Sequence, residues 1–221
     1  RISAGYMHNV ALASDGSVWA WGSGQFGELG PASSSAVNAT AVPVVGLSGV
    51  VDISAGGGYT LARKADGTVW SWGINIYGQL GDPGFGHGNG LGGAAFRSTP
   101  TQVAGIGGAV SRISAGFSFA FAQRSDGVVY SWGLNHRGQA NNTAQATPKN
   151  CGAANGVGCI LAPTLLPFSP VRYAYAGGAH AVLVRNDGRL TIIGDNSVGQ
   201  RANRDANYGE KFSQTTYDPD T

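Results

Sequence analysis

One internal ruler, repeated four times, governs what this chain can become. Ala-Gly pairs stand at Ala4-Gly5, Ala55-Gly56, Ala115-Gly116 and Ala176-Gly177. Eleven residues after each Ala comes Asp-Gly: Asp15-Gly16, Asp66-Gly67, Asp126-Gly127 and Asp187-Gly188. Six residues after each Asp comes Trp21, Trp72, Trp132 or Ile193, each followed by Gly. Another glycine (Gly27, Gly78, Gly138, Gly199) and then Glu28, Gln79, Gln139 or Gln200 complete the unit. Spacing inside the unit is fixed, whereas successive copies begin 51, 60 and 61 residues apart. Rigid units on variable connections are a repeat architecture. The copies divide approximately as 1–49, 50–109, 110–170 and 171–221, one repeat domain over 1–221.

Each unit reads as β-structure. Asn9–Ala13 and Ser17–Trp21 flank Ser14-Asp15-Gly16, a hairpin signal because Asp and Gly tolerate positive φ in tight turns. The second hairpin strand reads V-W-A-W-G, V-W-S-W-G, V-Y-S-W-G and L-T-I-I-G. A preceding strand is predicted over Val50–Ser54, Val110–Ser114 and Val171–Tyr175, and a weaker fourth after a proline, from Pro43 or Pro100. Apolar residues do not recur at helical spacing with caps. Four short strands per unit describe an all-β fold, a propeller of four-stranded blades.

The pattern I-S-A-G-x-x-H-x-x-A-L-x-x-D-G-x-V-W-x-W-G-x-N-x-x-G-Q-L-G resembles the regulator of chromosome condensation repeat family and covers essentially the whole chain. The resemblance implies a ring that usually closes with seven blades. Four repeats are then expected to be part of a larger ring, with further blades from the same polypeptide or a neighbouring subunit; the alternative is a capped C-terminal end, since the fourth copy has Ile193 for Trp, Arg201-Ala202 for Leu-Gly and a polar tail. Function is not implied, because a fold hosts many functions; the family includes nucleotide exchange factors, a plant UV-B photoreceptor and bacterial surface proteins. In the photoreceptor branch the sensing rings follow the Ala-Gly glycine. Tyr6, Gly57, Phe117 and Gly178 hold that place here, while every Trp lies in the V-W-x-W-G strand. Trp19, Trp21, Trp70, Trp72 and Trp132 are therefore expected in the core.

Catalytic constellations are not legible. Gly22-Ser23-Gly24-Gln25-Phe26-Gly27 matches G-x-G-x-x-G, but that fingerprint needs a following helix. Asn75, Asn135 and Asn196 replace Gly24 in the other copies, which reads as a repeated turn using left-handed backbone. His8 and His180 alternate with Tyr59 and Phe119, so a packed structural role is expected rather than a ligand. His87 and His136 have no zinc spacing around them, and no metal or other cofactor is assigned.

Two connections carry more information. Asp82–Thr99 holds six Gly in eighteen residues, and Ala140–Pro163 holds both cysteines. Long connections are often functional, and the candidate binding residues there are His87, Asn89, Phe96, Arg97, Asn142, Lys149 and Asn155. Cys151 and Cys159 are expected to form a disulfide, with free thiols or half a metal site as the alternative; a disulfide places the protein outside the cytosol, extracellular, on a cell surface or in a periplasm. Asn38-Ala39-Thr40 and Asn141-Asn142-Thr143 fit the glycosylation acceptor.

Charge narrows the partners. Charged residues are 12% and the formal net charge is +2, without the clustered basic face of a nucleic-acid binder. No apolar run reaches membrane-spanning length. Eleven Arg against three Lys favours a bacterial source. The expectation is a non-enzymatic propeller, secreted or surface-exposed, that binds another protein through its loops. The rivals are a structural or accessory subunit of an extracellular assembly and a guanine nucleotide exchange factor for a small GTPase.

Overall fold

The computed structural model describes residues 1–33, 35–85, 95–140, 149–150, 158–200 and 215–217, with backbone alone for 149–150 and 215–217. Four antiparallel sheets follow in chain order. The first has the order β1 (Ile2–Ala4), β2 (His8–Leu12), β3 (Val18–Ser23), β4 (Val37–Pro43). The second is β5 (Val50–Ala55), β6 (Tyr59–Lys64), β7 (Val69–Ile74), β8 (Phe96–Gln102). The third holds β9 (Val110–Ala115), β10 (Phe119–Arg124), β11 (Val129–Leu134), β12 (Lys149–Asn150) and β13 (Gly158–Leu165), with β13 beside β11 and the two-residue β12 on the outer edge. The fourth is β14 (Tyr173–Ala176), β15 (His180–Val184), β16 (Leu190–Gly194), β17 (Thr215–Tyr217). No helix occurs among the described residues. These are propeller blades, as the ruler requires.

The Asp-Gly turn forms each central hairpin. Gly16 has φ 83°, its N–H bonds Ala13 O at 3.1 Å, and Asp15 Oδ1 accepts the Ser17 N–H at 2.9 Å. The same turn recurs at Gly67, Gly127 and Gly188, with φ of 82°, 83° and 86°. A left-handed residue at this point closes a hairpin without splaying its strands. The weaker fourth strand lies elsewhere than the sequence suggests. It runs into Pro43 and through Pro100 rather than starting at them. Proline is tolerated there because these strands are sheet edges, where a missing N–H breaks no inner ladder.

The core lies between sheets, not within one. Val10 and Val18 of the first sheet, with Leu29 and Val44 from the segments after β3 and β4, pack on Ile53, Ala62 and Trp72 of the second. A larger cluster joins the second, third and fourth sheets through Tyr59, Leu61, Leu80, Phe121, Trp132 and Leu183. Trp72 and Trp132 each reach back to the sheet before their own. The Trp72 indole N–H donates to Glu28 O at 2.8 Å, and that of Trp132 to Gln79 O at 2.8 Å. Both rings are fully buried.

Trp19 and Trp21 depart from the core expectation, and Trp70 stands at the core's margin. Trp19 is 39% exposed, and Trp21 is half-buried because no sheet lies against that side of the first blade among the described residues. Trp70 is half-buried, with its N–H on Thr68 Oγ1 at 3.0 Å and Lys64 Nζ 4.0 Å from the ring centre. It packs against the margin of the core cluster that Trp72 enters fully.

Candidate interaction surfaces

The first strands of successive blades, β1, β5, β9 and β14, pack side by side and define an axis. Polar rungs link them. Ser3 Oγ accepts the Ala55 N–H at 2.9 Å, Ser54 Oγ that of Ala115 at 3.0 Å, and Ser114 Oγ that of Ala176 at 2.9 Å. The serine of I-S-A-G is thus spent on the neighbouring blade. The following glycine has a related duty: a Cβ on Gly56 would lie 2.6 Å from Gly116 O, so only glycine lets the blades approach this closely.

The residue three beyond that glycine also reaches across. His8 Nε2 lies 2.9 Å from Thr60 Oγ1, and the Tyr59 hydroxyl donates to Phe119 O. Burial drives the His8 pKa from 6.5 down to about 4 and raises that of Tyr59. His8 is the packed histidine the sequence indicates, while His180 is half-buried. Neither belongs to a group of three or more potential metal ligands, and none occurs among the described residues.

At one end of the axis the Ala-Gly turns form a shallow mouth of about 220 Å³. Its rim carries Tyr6, 71% exposed, and Phe117, 49% exposed, in an edge-to-face contact with ring centres 5.4 Å apart. Met7, 65% exposed, extends the apolar surface. Tyr6, Gly57, Phe117 and Gly178, the four places compared above with the photoreceptor branch, all line this mouth, and none is Trp. At the other end of the same strands lies a larger groove of about 690 Å³ with a polar, arginine-bearing lining. The Ala-Gly pairs and the residues after them are legible as a repeated set in the sequence, whereas the arginine-bearing end, built from runs such as Ser111–Ser114 and Val171–Tyr175, is not.

The residues singled out from the long connections do not gather into one site. His87, Asn89, Asn142, Asn155 and Cys151 lie outside the described residues. Phe96 and Arg97 belong to β8 and Lys149 to β12, so these three are strand residues, not loop residues. Phe96 is 41% exposed and meets Phe26 edge-on, with ring centres 6.3 Å apart. Arg97 is tied down by Asp82 Oδ2 at 2.9 Å and lies 4.7 Å from the Phe85 ring centre. Cys159 is buried in β13, opposite Leu134.

The turn after the Trp-Gly pair also needs correction. Gly24 is not in the left-handed region, so shared backbone freedom does not explain its exchange with asparagine. The asparagines act through their side chains: Asn75 Oδ1 accepts the Leu80 N–H at 2.9 Å, and Asn135 Oδ1 that of Ala140 at 3.0 Å. The Gln/Glu position works alike. Glu28, Gln79, Gln139 and Gln200 each accept the N–H two residues earlier, at 2.7, 2.8, 2.8 and 2.9 Å. Only Glu28 does so with an ionisable group, and burial raises its pKa.

Comparison with known proteins agrees with this architecture. Models of the Regulator of chromosome condensation (RCC1) repeat match residues 1–28, 50–79 and 110–139, and also 15–63 and 66–123. The human probable E3 ubiquitin-protein ligase HERC6 is 30% identical over 204 residues, 90% of this chain but 18% of that protein. The Arabidopsis thaliana ultraviolet-B receptor UVR8 is 29% identical over 152 residues, 66% of this chain and 32% of the receptor. Among solved structures, Saccharomyces cerevisiae Prp20p superposes with a TM-score of 0.76 at 23% identity, over 97% of this chain and 48% of that one. Human WBSCR16 gives 0.73 at 21% identity, over 99% and 52%. The chain therefore spans about half or less of each of these proteins. The relatives named are eukaryotic and give no support to the bacterial source that the arginine content favoured.

Proposed function

The chain belongs to the RCC1 repeat family, and from that premise we propose that it is a non-enzymatic propeller that binds another protein. The observation that carries this reading is the axial mouth rimmed by Tyr6 and Phe117, with Met7 exposed next to Tyr6 in the chain, large apolar side chains left in solvent on a rigid turn scaffold. Aromatic residues and Met are enriched at protein interfaces, and aromatic rings supply contact area at small cost in side-chain entropy. The Prp20p structure, described together with binding to Gsp1p and histones, supports protein binding as a use of this architecture.

The proposal includes a location outside the cytosol, supported by the pairing expected for Cys151 with Cys159. Capture from an extract of the source organism tests the reading, with the wild-type chain and Tyr6→Ser/Phe117→Ser as baits. A partner retained by the first and lost by the second is the expected result. Absence of any partner, or turnover of a substrate by the purified chain, refutes it. Accelerated nucleotide release from a small GTPase would instead establish the exchange-factor reading.

A further inference from the structure

The groove at the opposite end of the axis has an electrostatic imbalance that the fold does not use. Five arginines line it, of which two are neutralised: Arg1 by Asp52 at 2.6 Å, and Arg124 by Asp126. Arg63, Arg112 and Arg172 make no ion pair among the described residues. Two of them share one aromatic ring, with the Arg112 and Arg172 guanidinium carbons 4.7 and 5.4 Å from the centre of Tyr173. Like charges gathered on a single ring repel, and a concave wall strengthens their combined field. Both side chains belong to exposed residues, so neither is held there by burial.

The wall also holds unmet hydrogen-bonding capacity of both kinds. Arg63 Nε is a buried donor without a partner, and Gln123 Oε1 a buried acceptor without one. The two residues occupy equivalent positions in consecutive blades, on β6 and β10, and both line the groove. Gln123 is 3% exposed, and its Nε2 is already committed to Val171 O at 2.8 Å.

We infer that this groove is a docking site for an acidic peptide segment of a partner protein, received by Arg63, Arg112 and Arg172. Guanidinium forks match carboxylates in two-point geometry. A peptide backbone adds N–H donors as well as carbonyl acceptors, which suits a lining that holds both Gln123 and Arg63, each with an unmet polar atom. A phosphodiester backbone brings acceptors alone and would leave Gln123 Oε1 unmet. The unpaired cations form one bowl rather than the extended stripe that a duplex, charged about every 1.7 Å, would track. The volume lies within the usual range of roughly 300–1,000 Å³ for ligand clefts. This inference rests on the protein-binding reading and adds the partner's chemistry at a second surface.

Fluorescence anisotropy with a labelled octaglutamate peptide tests it, beside an octaglutamine peptide and a short DNA duplex. The full chain is expected to bind octaglutamate and not octaglutamine. Arg112→Ala/Arg172→Ala should weaken binding about tenfold or more, the loss of two charge-assisted contacts. Arg137→Ala/Arg189→Ala removes the same charge outside the groove and should leave affinity within about twofold under the salt screening of exposed charges. Absence of octaglutamate binding, equal losses in the two double variants, or tighter binding of the duplex overturns the assignment. The native partner separates the two claims. If it is lost with Tyr6→Ser/Phe117→Ser but kept by Arg112→Ala/Arg172→Ala, the groove assignment fails and protein binding stands.

Discussion

Replacing Trp72 by Phe, and Trp21 by Phe as its counterpart, separates the work of a residue from the work of its surroundings. Both stand at the same point of the ruler. Trp72 is fully buried with its N–H on Glu28 O at 2.8 Å, whereas Trp21 is half-buried and its N–H has no partner among the described residues. The Trp72→Phe change would leave the Glu28 carbonyl buried without its donor, a loss of about 1–3 kcal/mol. The smaller ring adds a cavity contribution on the order of 1 kcal/mol. Trp72→Phe should therefore cost about 2–4 kcal/mol, below the roughly 3–5 kcal/mol of full truncation to Ala. Trp21→Phe strands no partner and should cost less than about 1 kcal/mol, in the range of changes outside a packed core. For a chain of this size each kcal/mol moves the melting midpoint by roughly 2–4 °C, so the variants should separate clearly by calorimetry. Equal losses for the two variants would refute the argument that the preceding sheet gives this tryptophan its value.

Three further outcomes are expected. His8 is neutral when folded, with its pKa depressed to about 4 by burial, and an ordinary 6.5 when unfolded. The unfolded chain then binds more protons between those values, so stability is intact above pH 6.5 and falls toward pH 4, by about 2 kcal/mol at pH 5. Chemical denaturation of His8→Phe at pH 7 and 5 should show that slope removed; an unchanged slope refutes it. Glu28→Gln keeps the acceptor for the Phe26 N–H and removes a carboxylate whose pKa burial raises, a penalty that is complete once pH exceeds the folded pKa. The variant should be more stable at pH 7, by about 0.5–1 kcal/mol, in a denaturant melt. Cys151 and Cys159 should give no free thiol on titration of the unfolded, unreduced protein, and reduction should cost about 2.5 kcal/mol in the loop-entropy model.

Much of this fold is legible in the sequence because its information is local. Asp15-Gly16 and its three counterparts specify a turn by backbone chemistry, and the strands follow on either side. Burial is less legible because it depends on what lies across from a residue. Identical letters at Trp21 and Trp72 have different environments, and only the spatial order of sheets separates them. The outer strands are hard to place since Pro43 and Pro100 read as breaks, while an edge admits them. Asn75 and Asn135 mislead because turn statistics offer backbone tolerance where a side-chain oxygen does the work. The arginine groove leaves no motif at all. Arg63, Arg112 and Arg172 come from different units, and the overall charge of +2 conceals a local excess.

The serine rungs between blades have a consequence for behaviour at high concentration. The first strand of every blade is the edge of its sheet, and an open edge with free N–H groups can template the addition of a foreign strand. At Ala55, Ala115 and Ala176 the amide is already engaged by a hydroxyl from the blade before, which denies an incoming chain one of the contacts it needs to start a ladder. The same atoms that hold neighbouring blades together thus guard the molecule against self-association. In the fourth unit Tyr175, 53% exposed, stands where the other three carry this serine, so β14 receives a rung from Ser114 and has no serine of its own to extend one.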